Sequence, residues 1–374
     1  MAGHWGNLYD DEDIPAGEAG AMQVVRDVIF AMMNTKVRPV QRVEHASAAG
    51  VVRAAFEVLP DLPAEFRHGV FREPRVYPAL VRCSNAANRN QASKDTHGMA
   101  IKLFDVPGTK VLPDEKDATT QDFLLVDCPV FFIRNAPDYA VFSRKALGAF
   151  RLSQAPVIRS LPAGVGQLLQ LLYLVPTYLL WHPHEAKLLM QLRKKPPRSS
   201  LDTTYYSSTP YRLGPNAVHW IARPQSINGP PPLIHFDDPD LRRRENRLRA
   251  ALVSQLRQED VAFDFCAQVQ TDREAMPVED PTVVWDKTLS PPRKVATLRI
   301  PAQEFDTPEK RQLALSLSFD PWHSLPEHQP LGGINRVRRT VYVAIADKRR
   351  ELNQVPRREP DVEWLRREWD GASD

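Results

Sequence analysis

The residue types able to bind metal or act as nucleophiles are sparse in this chain, and their spacing narrows the chemistry. His182, His184 and Glu185 in the segment WHPHE lie close enough in sequence to share a metal ion. They lack a third partner at ligand spacing, however, and a prolyl-spaced pair of this kind reads as a loop feature. Cys83, Cys128 and Cys266 are isolated and odd in number. That argues against both a disulfide framework and a cysteine-rich zinc site, and makes a reducing compartment the default. No Walker loop, Rossmann glycine fingerprint, HExxH or GxSxG segment occurs, which removes the commonest nucleotide, zinc-protease and esterase chemistries.

The chain that must gather any dispersed site has 374 residues, 43% of them hydrophobic and 25% charged, with a formal net charge of +3. Those values describe a globular protein with a sizeable core rather than a disordered or fibrous one. A near balance of 49 basic and 46 acidic residues gives no broad field for nucleic acid, and RRREN and KRRE look like solvated helix faces. The acidic opening MAGHWGNLYDDED lacks a basic region followed by an apolar core, so no secretory signal is expected and the cytoplasm is the default location.

Proline is unusually frequent, 34 residues against 16 glycines, which implies short strands joined by stiff loops. Strands are predicted over Ala46–Phe56, Gly98–Val106, Val130–Ile133, Val261–Val269 and Lys294–Ile300. Helical periodicity marks Gln23–Met33, Leu241–Gln258 and Ile334–Leu352. The expected layout is one domain over 1–374. It has a β-rich core over 20–300, a helical excursion at about 143–200 and a helical C-terminal part over 301–374. Within the excursion, Leu161–Trp181 carries no charge over a length that could span a membrane, but Pro162, Gly164, Gly166, Gln167, Gln170 and Pro176 interrupt it. Two readings stand: a buried helix pair, or a surface that dips into lipid as a peripheral membrane contact or captures an apolar substrate, with Lys187, Arg193, Lys194 and Lys195 suited to anionic headgroups.

Five separated stretches, RVEHASAAG at Arg42–Gly50, VRCSNA at Val81–Ala86, HGMAIKLFD at His97–Asp105, PVFFIRN at Pro129–Asn135 and NRVRRTVY at Asn335–Tyr342, follow one another in an order that resembles the haem-binding catalase superfamily. Tyr205–Val218, FDFCAQVQTD, MPVEDPTVVWD and PWHSLPEHQPLGGINR extend the resemblance over most of the chain. These last segments are similar to the smaller catalase-related branch, which includes catalase-related peroxidases and allene oxide synthases. The resemblance implies an α+β fold with an eight-stranded antiparallel β-barrel enclosing haem b, with appended helices and a homo-oligomeric assembly.

The site follows from the same resemblance. Arg338 and Tyr342 match the RxxxY arrangement, making Tyr342 the proximal iron ligand. Residues four apart share a helix face, so the guanidinium can reach the phenol oxygen and favour its deprotonated form. His45 matches the distal histidine that moves a proton on the incoming peroxide, and Ser84 the serine that supports its ring. Arg42, Arg82 and Arg349 match three arginines that bind the haem propionates. Tyr139, with Phe142 as a second candidate, falls where an aromatic ring stacks on the porphyrin.

Two positions depart from the pattern. Asp127 stands where the large catalases carry an asparagine, and an ionised aspartate cannot donate the amide's hydrogen bond to peroxide. Glu44 stands where catalases carry an apolar residue, and a carboxylate over haem is costly unless paired, solvated or used as an acid–base group. The expected activity is haem-dependent activation of an organic hydroperoxide, such as one from a fatty acid, by peroxidase, isomerase or lyase chemistry. The alternatives are a hydrogen-peroxide catalase and a haem-binding protein without turnover.

Overall fold

The computed structural model describes residues 9, 12–33, 35–36, 39–160, 165–225, 235–356 and 359–371, so the first four residues of the 161–181 segment lie outside the described residues. Nine strands form the framework: β1 Ser47–Val58, β2 Val76–Asn85, β3 His97–Phe104, β4 Thr120–Val126, β5 Tyr205–Tyr206, β6 Tyr211–Leu213, β7 Asn216–Pro224, β8 Val261–Val269 and β9 Arg293–Ile300. Eight of them close a ring in the order β1-β2-β3-β4-β5-β7-β8-β9, every pair antiparallel, and β6 extends one edge as a hairpin with β7. The short β5 completes the closure: Tyr206 lies opposite Val126 of β4 and Ile221 of β7.

The two-residue alternation of side chains divides each strand between an inside and an outside. Val81 and Cys83 of β2, Met99 and Ile101 of β3, Phe123 and Leu125 of β4 and Phe265 of β8 turn inward and belong to one fully buried cluster. Aromatic rings fill the middle: Phe56 meets Phe265 edge-on at 5.0 Å, Phe123 lies 5.0 Å from Phe265, and Trp220 lies 5.4 Å from both Phe71 and Phe123. This interior has no room for a large cofactor, so any such group must be enclosed between the outer barrel wall and the helices. All three cysteines are buried and unpaired, and burial pushes the Cys83 thiol up to about 12, which leaves it inert.

Among the described residues, seven helices longer than two turns surround the barrel: α1 Glu18–Met32, α2 Ala136–Ser153, α3 Val165–Leu174, α4 Pro183–Leu192, α5 Arg247–Leu256, α6 Pro308–Ser316 and α7 Gly333–Asn353. The Asn135 side chain caps α2 by accepting from the Asp138 N–H at 2.9 Å. Val337 and Val341 of α7 pack with Met22, Val25 and Ile29 of α1 and Ala136 and Ala140 of α2. These i, i+4 positions turn the opposite side of α7 toward the barrel.

Two expected elements differ. The VFFI segment at 130–133 is not a strand: the Phe131 N–H bonds the carbonyl of Pro281, and Phe131 and Phe132 pack into lateral clusters. The expected helix over 241–258 is interrupted because Arg243 adopts an extended conformation, so the long helix starts only at Arg247.

Arg336, 1% exposed, fastens the N-terminal arm to α7, meeting Glu12 at 2.7 Å, Glu18 at 2.7 Å and Glu279 at 2.9 Å. Its removal strands three carboxylates in a low-dielectric setting. Arg336→Met is expected to lower unfolding stability by about 3–5 kcal/mol, read from urea denaturation; a loss below 1 kcal/mol would show that solvent relaxes into this joint.

Candidate active site

The loop before β1 and the outer faces of β2 and β3 supply one wall of the site. Ser84 and Gly98, cross-strand partners, both point outward. His45 lies over them: its Nδ1 is 3.0 Å from Ser84 Oγ, and a Cβ on Gly98 would stand 2.6 Å from His45 Cε1. Only glycine leaves this cradle open. With Nδ1–H donated to Ser84, Nε2 carries the free lone pair. The backbone of His45 is left-handed, φ 53°, a strained conformation fixed by two bonds. Its N–H donates to Ala86 O at 2.7 Å and its carbonyl accepts from Arg82 Nη2 at 2.5 Å. Burial, reinforced by Arg82, Arg338 and Arg42, holds His45 down to about 3, so the imidazole is neutral throughout the physiological range.

Helix α7 supplies the facing wall. Arg338 Nη2 donates to Tyr342 Oη at 3.4 Å, and the guanidinium carbon lies 5.3 Å from that ring's centre. Asn335, Thr209 and Tyr211 hold the other arm of Arg338 at 3.1–3.5 Å. Burial would depress this guanidinium, but the Tyr342 and Tyr211 hydroxyls outweigh it and keep its charge. Glu44, Tyr139, His45 and Tyr342 each retain accessible surface while surrounding protein desolvates them or acts on their charges. His45 on the barrel wall and Tyr342 on α7 thus face the gap between the two walls.

One edge of that space is strongly positive. Burial depresses Arg42 well below its ordinary range, with Arg82 and Arg349 adding repulsion, and burial holds Arg82 down to about 10. Their hydrogen bonds go only to carbonyls: Arg42 to Leu317, Arg82 to His45 and Arg349 to Leu315. Among the described residues none of the three has a carboxylate partner. Three converging, desolvated cations without a counter-charge are stable only if an anion completes them. A flat dianion between His45 and Tyr342, with its carboxylates on these arginines, fits this charge and shape, so the residues present suit haem.

The remaining candidates divide. Glu44 turns into the space, where burial raises its carboxyl and Arg338 opposes the rise. Tyr139 joins it there, its hydroxyl raised well above the ordinary value by burial, Glu44 and Tyr342. Phe142 does not: it packs edge-on between Phe132 and Tyr178, at 5.1 and 5.3 Å. Asp127 acts weakly on His45, but both its oxygens are occupied by His97, Oδ1 by the backbone N–H at 3.0 Å and Oδ2 by ring Nδ1 at 2.8 Å. His182, His184 and Glu185 do not join this site; His182 stacks on Tyr178 at 4.1 Å.

His97 was not singled out from sequence. Its Nε2 is buried without a partner, as are both amide atoms of Asn85 opposite it. The alternation in HGMAIKLF carried the signal, since His97 shares a face with Met99, Ile101 and Leu103 and is a polar group on an apolar side.

Comparison with known proteins establishes the fold. No protein-family model matches the chain, and no curated protein matches it. Solved structures do: a fungal catalase (TM-score 0.61, 18% identity, covering 86% of this chain and 62% of that one), a bacterial catalase (0.57, 14%, 86% and 60%) and catalase A from Saccharomyces cerevisiae (0.54, 15%, 95% and 70%). The chain therefore has the catalase barrel fold, and it spans less than two thirds of the length of the fungal and bacterial catalases.

Two outcomes test this geometry. Gly98→Ala is expected to push the His45 ring off Ser84 while leaving the strands intact, with thermal stability within a few degrees of the parent chain and the His45 ring resonances shifted in an NMR spectrum. Unshifted resonances would mean that the ring does not rest on Gly98 and Ser84. Because His45 takes its proton only near pH 3 when folded but near 6.5 when unfolded, its contribution to stability is complete above pH 6.5 and is lost as pH falls below it. Wild-type stability should thus fall more steeply than that of His45→Gln between pH 6.5 and 4, by roughly 1.4 kcal/mol per pH unit; parallel slopes would mean an exposed ring.

Proposed function

We propose that this protein holds haem b between His45 and Tyr342 and activates an organic hydroperoxide, with fatty-acid hydroperoxides as the substrate class. The observation that carries the reading is the unpaired trio Arg42, Arg82 and Arg349 beside a neutral, Ser84-supported histidine. Haem held there would supply redox-active iron for peroxide chemistry, with Tyr342 as the residue that would hold the metal. The chain's own residues do the rest. His45 Nε2 takes the proton from the hydroperoxide oxygen that approaches and returns it to the oxygen that leaves, which avoids expelling an alkoxide. Arg338 keeps a positive charge beside the Tyr342 oxygen at 3.4 Å, and the arginine trio fixes the cofactor's orientation.

The preference for a bulky hydroperoxide rests on Asp127. Its oxygens are tied to His97, so it offers no amide-like donor to orient hydrogen peroxide. This supports peroxidase, isomerase or lyase chemistry of the smaller catalase-related branch over rapid dismutation. A homo-oligomer is part of the same proposal.

The test is a visible spectrum of the purified protein, followed by stopped-flow mixing with hydrogen peroxide and with a fatty-acid hydroperoxide. A ferric tyrosinate-type spectrum lost in Tyr342→Phe is expected, with the lipid hydroperoxide consumed faster and His45→Ala slower by about 10²- to 10⁴-fold. Rapid oxygen evolution from hydrogen peroxide with the lipid hydroperoxide untouched would make the protein a catalase. A haem spectrum with neither peroxide consumed would make it a binding protein without turnover.

A further inference from the structure

The lateral helices α3 and α4 turn a large apolar face outward. Leu168, Leu171 and Leu172, at i, i+3 and i+4, are exposed along one side of α3, followed by Leu180, Trp181 (78% exposed) and Met190 (70%). The other side of the segment is packed: Tyr173 lies against Gly148 of α2, and Tyr178 is buried between Phe142 and His182. This differs from the expected buried helix pair, because Leu168, Leu171, Leu172, Leu180 and Trp181 remain exposed in the chain. The Trp181 indole N–H donates to Pro176 O at 3.1 Å, so the ring needs no water partner.

The charge around this face is one-sided. Residues 141–198 contain nine lysines and arginines and a single acid, Glu185, which is buried, whereas the rest of the chain has forty cations to forty-five anions. Arg144, Arg151, Lys187, Arg193 and Lys195 are exposed and have no ion pair among the described residues. A second copy of the chain is a poor occupant, because a symmetric contact would oppose these cations to themselves. No described helix is long and apolar enough to cross a membrane.

We propose that this face docks on an anionic lipid bilayer, with Leu172, Leu180 and Trp181 at the acyl boundary and the cations among the headgroups. Apolar burial and the attraction of each cation to an anionic surface act together in such a contact. This inference does not depend on haem or on turnover.

The experiment is co-sedimentation of the full chain with phosphatidylcholine vesicles, with and without phosphatidylglycerol. Binding to the anionic vesicles is expected to be at least about tenfold tighter and to weaken in 0.5 M salt. Leu172→Glu with Trp181→Glu, and separately Lys187→Glu with Arg193→Glu, should each weaken it about tenfold at unchanged thermal stability and sedimentation coefficient. Absence of binding to both vesicles would overturn the proposal. So would unchanged lipid binding in the variants, or a dimer in the parent chain that the first pair dissociates, which would make the face a contact between copies.

Discussion

The aromatic filling of the barrel is the constraint from which the rest of the site follows. Phe56, Phe71, Phe123, Trp220 and Phe265 occupy the interior, so the central inward positions of β2, β3 and β4 (Val81, Cys83, Met99, Ile101, Phe123 and Leu125) are committed to apolar contact. The period of two then sends the alternate residues outward, and Arg82, Ser84 and Gly98 must stand together on the outer wall. A one-residue slip would exchange them for Cys83 and Met99 and erase the site. The core thus sets the register, and the register assembles the wall on which His45 lies.

Charge pairing separates the groups that hold the fold together from those that await a ligand. Lys102 is as buried as any arginine here, but it meets Asp122 at 2.8 Å and Glu359. The neighbouring His323 lies between Glu115 and Glu359, which keep it more readily protonated than usual despite its burial. These opposed charges sit within one joint between the barrel wall, the loop before α7 and the C-terminal tail. Arg336 is balanced in the same way by three glutamates. Arg42, Arg82 and Arg349 are different: each bonds a carbonyl, each is depressed by burial, and together they have a positive surplus. Lys102 and Arg336 are neutralised within hydrogen-bond distance, whereas Lys110 is buried against the carbonyls of Val106 and Gly108 alone; what sets Arg42, Arg82 and Arg349 apart is that three such cations converge, and that convergence marks an anion site.

Much of this arrangement was legible in the sequence, because it depends on short-range pattern. Alternation identified β1, β3, β8 and β9 to within a few residues, and the spacing of Arg338 and Tyr342 placed both on one face of α7. The VFFI segment misled because its composition suits a strand, whereas its two phenylalanines lie 5.1 Å apart and pack together into the lateral clusters. The direction of Glu44 was undetermined, since the residue before a left-handed His45 follows no simple periodicity. The occupation of Asp127 by His97 depended on the β3–β4 register, in which Gly98 faces Val126 and the next inward residues meet at the barrel's end.

The altered residues lie on the parts that can vary without disturbing the core. Glu44 belongs to the loop entering β1, Asp127 to the turn leaving β4, and the exposed apolar helices to the insertion between β4 and β5. None contributes to the aromatic filling, although Asp127 is held against His97 by the β3–β4 register. Phe142 and Tyr178 nevertheless connect the insertion to the site: they share a lateral cluster with Tyr139, whose ring borders the internal space. A change in how α3 and α4 are seated would therefore reach the cavity through packed rings rather than through the barrel. Under the proposed function the rigid wall would supply proton transfer and cofactor placement, and the lateral cluster would set how large and how apolar a molecule can approach them.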